Sequence, residues 1–211
     1  MSSKHGQEGL LRAIGSALRQ PVPPEYRGWL AFGWTCTALL VVLGLSGALL
    51  SIYYLPAVDA AAASVRFLVR EVTWGWLVRG IHRWGSALLI GFATLQLLRV
   101  FLAGSYRGAK AGSWVLGVLL FAVVLGLAFT GELLPWDPDS VALATSALEG
   151  TNAIPIAGPP LAGLMRGSSE VGVATLARAH AAHALVLPWL AFLLLLLNLW
   201  FLARSRRRSG S

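Results

Sequence analysis

Four long apolar runs dominate the chain, at about Leu30–Leu55, Gly80–Ala103, Trp114–Leu134 and Ala179–Ala203. Each is long enough to cross a hydrocarbon core of roughly 30 Å at about 1.5 Å rise per residue. Ahead of the first run, Leu10, Leu11, Ile14 and Leu18 recur at helical spacing, with Arg12 and Arg19 on the other face. This predicts a short amphipathic helix lying in the membrane interface, the alternative being a frayed tail with chance periodicity. Pro21, Pro23 and Pro24 would close it. The expected fold is all-α: a transmembrane four-helix bundle over 30–204, preceded by a lead-in with the interfacial helix over 1–29 and followed by a basic tail over 205–211.

Composition supports the membrane reading. The chain is 56% hydrophobic and 12% charged, with a mean hydropathy of +0.69. A soluble domain carries roughly twice that charged fraction. The single cysteine, Cys36, excludes a disulfide framework or a cysteine-held cluster within the chain. Met1–Gly9 is polar, and no cleavable signal peptide is expected. The net charge of +8 does not point to nucleic acid, because the bases lie at the ends of apolar runs. With four spans, the N-terminus, the second link and the C-terminus share a side. That side holds 11 bases and two acids, the other six bases and seven acids. The positive-inside rule then puts both termini in the cytoplasm of a bacterial inner membrane and both long links outside.

Ionisable residues at membrane depth are costly and point to function. His82 lies just inside the second run and His183 just inside the fourth. Those runs are parallel, so the two imidazoles lie at similar depth, as bis-histidine haem ligation requires. The bland alternative is that each ring bonds a backbone carbonyl or reaches to the surface. Arg79, Arg83 and Arg178 lie close by in sequence and suit the two propionates of a haem. Gly33 and Gly47 in the first run, and Gly117 and Gly131 in the third, are both fourteen residues apart. Each pair shares a helix face about 21 Å apart. Close approach of a flat macrocycle is one reason for such glycines, and close helix packing another. Gly47 and Gly131 fall level with the histidines. Gly33 and Gly117 mark an inner level, where Gln96 follows His82 by fourteen and Leu197 or Asn198 follows His183 by fourteen or fifteen. Amides are poor ligands for haem iron, and these two are expected to hydrogen-bond across the bundle. Trp34 and Phe121 are expected to fill the inner space.

Several stretches then resemble a known family: VPPEYRGWLAFGW, the block from SGALLSIYYLP to GIHRWGSA, RVFLAGSYRG, TGELLPWDP, and the run from IPIAGPPLAG to LARAHAAH. From Val22 to about Leu202 the chain is similar to cytochrome b of the bc-type quinol oxidoreductase complexes, in the short N-terminal, four-helix form of split photosynthetic complexes. The resemblance implies that His82 and His183 are axial ligands of one haem b near the outer face. It also implies that Arg79 and Arg83 meet the propionates and that Gly47 and Gly131 contact the haem. Gln96 and Asn198 fall where the family has the ligands of a second haem, so that site, with Gly33 and Gly117, reads as degenerate. Ala31 stands where the photosynthetic form has a haem-tethering cysteine, so no covalent haem is expected. Glu132 replaces a usual aromatic next to the outer quinol site. It is the candidate to take a proton from quinol, or else a solvated residue at the end of the third run. Ala179 replaces another aromatic, and His180 beside it is read as a surface residue rather than a ligand.

The family's reaction is quinol oxidation near the outer face, with electrons passing to a Rieske iron–sulfur protein and to the haems. The Pro-Glu-Trp-Tyr motif that completes the family's outer quinol site does not occur here. A separate three-helix C-terminal cytochrome-b-like subunit, a Rieske protein or cytochrome c, and a homodimeric arrangement are therefore implied partners. The chain is not catalytic alone. Three readings stay open: a one-haem redox subunit, a structural membrane anchor without haem, and a two-haem protein with non-histidine inner ligation. Haem content per chain separates them.

Overall fold

A computed structural model describes residues 24–104, 106–107 and 111–208, with side chains from 32 to 204 within those stretches. In chain order the helices are α1 (Pro24–Ser51), α2 (Ala61–Arg70), α3 (Gly75–Leu102), α4 (Ala111–Leu133), α5 (Pro138–Asn152), α6 (Gly158–Arg166), α7 (Val173–His180) and α8 (Leu187–Arg208). A π-helical turn, Ala181–Val186, joins α7 to α8 without a break. Among the described residues all regular structure is helical. Four stretches are long and apolar enough to span a membrane: Phe32–Ser51, Gly75–Leu102, Ala111–Leu133 and Val173–Arg204. The expected interfacial helix falls on residues outside those described. Pro24 is the first residue of α1, where its missing N–H costs nothing.

The bundle is assembled as two antiparallel pairs. α1 packs along α3, and α4 packs along the fourth span. α3 also meets α4, and Phe192 of α8 lies over Gly44 of α1, where a Cβ would come within 3.1 Å of its ring. One buried side chain from each span, Leu40, Leu89, Val124 and Leu195, forms a plug in the middle of the bundle. Leu40 stands seven residues from both Gly33 and Gly47, Leu89 seven from both His82 and Gln96, and Val124 seven from both Gly117 and Gly131. Seven residues is nearly two turns, about 10 Å along the axis. The plug therefore separates two levels at equal distances.

The structure shifts several expected boundaries. α3 starts at Gly75 and the fourth span at Val173, each several residues before the apolar run begins. His82 and His183 thus lie in the second and third helical turns of their spans. The earlier starts follow from local bonding. Thr175 Oγ1 accepts from the Gly172 N–H at 3.2 Å and donates to the Arg166 carbonyl at 2.9 Å, fixing the head of α7 against α6. The two long links, read as loops, contain α2, α5 and α6. α5 opens on an N-cap in which Asp137 accepts from the Ser140 N–H at 2.9 Å and from its hydroxyl at 2.6 Å, with Pro138 at the first helical position. Leu133, Ala144 and Ala179 bury this outer layer against the bundle.

The π turn has a visible cause. Pro188 has no N–H, and its ring crowds the carbonyl four residues earlier, so the preceding turn widens. A π turn takes up one extra residue. This makes the fourth span fifteen residues from His183 to Asn198, where α3 uses fourteen from His82 to Gln96. Asn198 is therefore the residue that faces inward at the inner level, and Leu197, 39% exposed, faces out.

Candidate functional site

His82 on α3 and His183 in the π turn face each other, with ring centroids 6.1 Å apart and ring planes at 73°. Each ring rests on a glycine of the paired helix. A Cβ at Gly47 would come within 3.1 Å of His82 Cε1, and one at Gly131 within 2.8 Å of His183 Cε1. Helix pairing thus depends on these two positions having no side chain.

The hydrogen bonds fix the tautomers. Ser46, buried at 6% exposure, donates its hydroxyl hydrogen to the Leu43 carbonyl at 3.2 Å. Its oxygen therefore accepts from His82 Nδ1, 2.9 Å away. Thr130, also at 6% exposure, donates to the Gly126 carbonyl at 2.7 Å and faces His183 Nδ1 at 3.3 Å. The Leu127 carbonyl lies 3.0 Å from the same nitrogen. A carbonyl can only accept, so the network puts the proton on Nδ1 and leaves both Nε2 atoms as bare donors. Outer-shell bonds of this kind orient metal-bound imidazoles and raise their basicity. Neutral imidazole nitrogens are among the protein donors that hold haem iron. The donor set therefore fits a haem iron.

The arginines lie to one side of this pair. Arg79 and Arg83 line a polar cavity of about 150 Å³ with Glu132, Pro135, Asp137, Asp139, Ser140 and Leu143. Hydrogen bonds from Ser140, and more weakly the field of Arg79, hold the Asp137 carboxyl below the usual carboxylate range. Arg178 does not join them. Its guanidinium is turned to the Gly163 and Leu164 carbonyls at the end of α6, which corrects its expected place beside the propionates. Tyr54 donates to the Leu134 carbonyl at 2.7 Å, and burial pushes its pKa up to about 12. His180 lies half-buried 5.5 Å from the Tyr54 ring rather than free at the surface.

A separate cleft of about 390 Å³ opens between α4, α5 and α6, lined by Gly126, Phe129, Thr130, Ala147, Leu148, Thr151 and Met165. Its wall is mainly apolar and its size suits a small ring ligand. Thr130 belongs to both features: it lines the cleft and bonds the His183 ring. Glu132, two residues on, lines the arginine cavity and not this cleft.

At the inner level, Gln96 Nε2 lies 3.8 Å from where a Cβ on Gly33 would be, and Asn198 Nδ2 lies 3.8 Å from one on Gly117. Ser113 donates to Asn198 Oδ1 at 2.5 Å. Gln96 Oε1 is buried and has no hydrogen-bond partner. The expected bond between the two amides is therefore not formed. Two amides without an imidazole do not fit a low-spin haem iron. Trp34 does not fill this level as expected: it is 52% exposed on the lipid-facing side of α1. Phe121 is half-buried one turn outward of Gly117.

Sequence reasoning named the histidines, arginines and glycines and missed Ser46, Thr130 and the cleft. The missed signal is the pair of dipeptides Ser46-Gly47 and Thr130-Gly131, in which a hydroxyl precedes the seat glycine on both helices.

The chain is similar to known proteins over most of its length. Residues 17–206 match the family described as cytochrome b/b6/petB. The chain is 35% identical over 190 residues to cytochrome b6 of Mastigocladus laminosus, covering 90% of this chain and 87% of that one. It is 42% identical over 158 residues to the menaquinol:cytochrome c reductase cytochrome b subunit of Geobacillus thermodenitrificans, covering 74% and 70%. It superposes on a chain of a hyperthermophilic respiratory Complex III with a TM-score of 0.74 at 25% identity, over 82% of its own length. It spans about half of that longer chain, 47%.

The glycine seats generate a prediction. Gly47→Ala and Gly131→Ala should each destabilise by about 1–3 kcal/mol through overpacking against an imidazole. Gly33→Ala and Gly117→Ala should be neutral, or stabilise by up to about 1 kcal/mol through helix propensity. Thermal unfolding in detergent measures this, and equal tolerance at all four positions would remove the seats from the argument.

Proposed function

Because the chain belongs to the cytochrome b family, an integral membrane family of electron-transfer subunits in bc-type complexes, we propose that it is the electron-transfer subunit of a quinol-oxidising complex with one b-type haem, near the outer face. The observation that carries this reading is the opposed pair His82 and His183, 6.1 Å apart, each with Nδ1 bonded and Nε2 free. Bound there, a haem supplies one-electron redox chemistry inside the membrane. The chain's own residues do the rest. Gly47 and Gly131 seat the imidazoles, Ser46 and Thr130 hold their tautomers, and Arg79 and Arg83 supply cationic donors for propionates on the polar side. The inner level, with Gln96 and Asn198, holds no haem in this reading.

Quinol is proposed to enter the cleft between α4, α5 and α6. Support comes from its apolar wall, its volume of about 390 Å³ and its contact with Thr130. Glu132 is proposed to take up the proton released on this side, in the cavity that it shares with Arg79, Arg83 and Asp137. The rest of the quinol site would come from a three-helix C-terminal cytochrome-b-like subunit. A Rieske iron–sulfur protein or cytochrome c would accept electrons, within a homodimeric complex of a bacterial inner membrane. Both termini would be cytoplasmic, as the distribution of Lys and Arg favours.

Three measurements test this reading. His82→Ala and His183→Ala should each abolish the low-spin b-type spectrum while the protein still inserts; a full spectrum in either variant rules out the pair. Glu132→Gln should move the pH profile of quinol oxidation by the assembled complex, and an unchanged profile removes its catalytic role. Alkaline phosphatase inserted beside Ala157 should be active and beside Tyr106 silent; the reverse pattern inverts the topology.

A further inference from the structure

The inner level repeats the outer one except at its ligands. Gln96 lies against Gly33 as His82 lies against Gly47, and Asn198 lies against Gly117 as His183 lies against Gly131. The helices are the same, the pairings are the same, and the plug residues Leu40, Leu89 and Val124 stand midway between the levels. The register needed for this is not automatic. It requires the extra residue in the fourth span, which the π turn absorbs, so that Asn198 rather than Leu197 faces Gly117.

One of the two hydroxyls has a counterpart at the inner level, four residues before Gly117 rather than next to it. Ser46 and Thr130 meet Nδ1 of His82 and His183, and Ser113 meets Oδ1 of Asn198 at 2.5 Å. In asparagine Oδ1 hangs from Cγ, as Nδ1 does in histidine. Ser113 therefore stands where it would accept from an imidazole at that position. On α3, the Oε1 of Gln96 is buried without a hydrogen-bond partner. A buried acceptor left unpaired carries a cost, and its presence marks a position shaped for something other than this amide. Room is also kept. Cβ atoms at Gly33 and Gly117 would meet neighbours at 3.6–3.8 Å, ordinary contact, whereas at the outer glycines they would press on the rings at 2.8–3.1 Å. Trp34, the bulky residue next to Gly33, is turned out of the bundle.

We infer that Gln96 and Asn198 set the number of haems that this chain holds, the inner level keeping the glycines and the helix register of a bis-imidazole site without its two ligands. The inference rests on the reading that His82 and His183 hold a haem at the outer level, and it goes further in locating the loss of the second in two side chains. The glycines, the helix register, the Ser113 hydroxyl and the π turn all persist. Restoring imidazoles should therefore restore the site without any other change.

The test is haem content per chain in the purified complex, by pyridine haemochrome, with redox titration and low-spin electron paramagnetic resonance. The native chain should give one haem. Gln96→His and Asn198→His singly should still give one low-spin haem. Gln96→His combined with Asn198→His should give two, the second with its own midpoint potential and low-spin signal. Gln96→His combined with Leu197→His, one residue off the inward face, should stay at one. Two haems in the native chain would overturn the inference. So would a double variant that keeps the outer haem and gains none, a second haem in the Leu197→His control, or a double variant that fails to fold, since each denies that the surrounding cradle is intact. No haem in the native chain would instead refute the outer-level reading on which the inference stands.

Discussion

The structure is organised around the cost of placing two imidazoles inside a membrane. A neutral imidazole has one N–H and one bare nitrogen, and burial leaves both needing a partner. In this bundle the N–H is met within the protein by Ser46 for one ring and by Leu127 and Thr130 for the other. The other nitrogen of each ring has no hydrogen-bond partner among the described residues. To reach these bonds the rings must lie flat against the neighbouring helix, and this is allowed only where that helix has no Cβ. The dipeptides Ser46-Gly47 and Thr130-Gly131 meet both needs at adjacent positions, with the hydroxyl bonding the ring and the glycine seating it. The antiparallel pairing of α1 with α3 and of α4 with the fourth span follows from these two contacts as much as from apolar packing.

The middle of the bundle carries the opposite chemistry. Between the levels the facing side chains are Leu40, Leu89, Val124 and Leu195, with nothing polar among them. Spacings of seven residues put polar, apolar and polar layers in turn along one set of helix faces. A helix completes nearly two turns in seven residues, so each layer returns to the same face. The scaffold is thus periodic while its chemistry is not: one end carries imidazoles and the other amides. A fold built on repeated glycine seats can lose the ligands of one level without disturbing the helix packing at the other.

The parts legible in the sequence were those carried by period and depth. The four spans, the histidines at matched depth and the fourteen-residue glycine spacing need only hydropathy and the 3.6-residue turn. The helix starts were less legible, because α3 and α7 begin, at Gly75 and Val173, in first turns that arginines (Arg79, Arg178) separate from the apolar runs. The helices α2, α5 and α6 lie in links with short, weak periodicity. Ser46 and Thr130 were missed because a hydroxyl within an apolar helix ordinarily bonds its own backbone, and these two do that as well. Trp34 was assigned inward from its neighbour Gly33, yet adjacent helical positions point about 100° apart, so a residue beside an inward glycine faces away. The choice between Leu197 and Asn198 stayed open in the sequence because it depends on a π turn, which no period of 3.6 anticipates.

The outer end separates two environments across the last turn of α4. Phe129 and Thr130 face an apolar cleft, and Glu132 faces the cavity of arginines and carboxylates. Successive positions on a helix differ by about 100°, so residues two apart look to nearly opposite sides. Thr130 touches the cleft and the His183 ring together, so the cleft lies one side chain from that imidazole. Charged groups, by contrast, are gathered on the other side, where Arg79, Arg83, Asp137 and Glu132 line one polar cavity. Under the proposed function, a quinol's electrons would leave on the dry side and its protons on the wet side of a single helical turn. This requires only that α4 end where it does, one residue after Glu132, with the Leu134–Pro135–Trp136 turn leading the chain into α5.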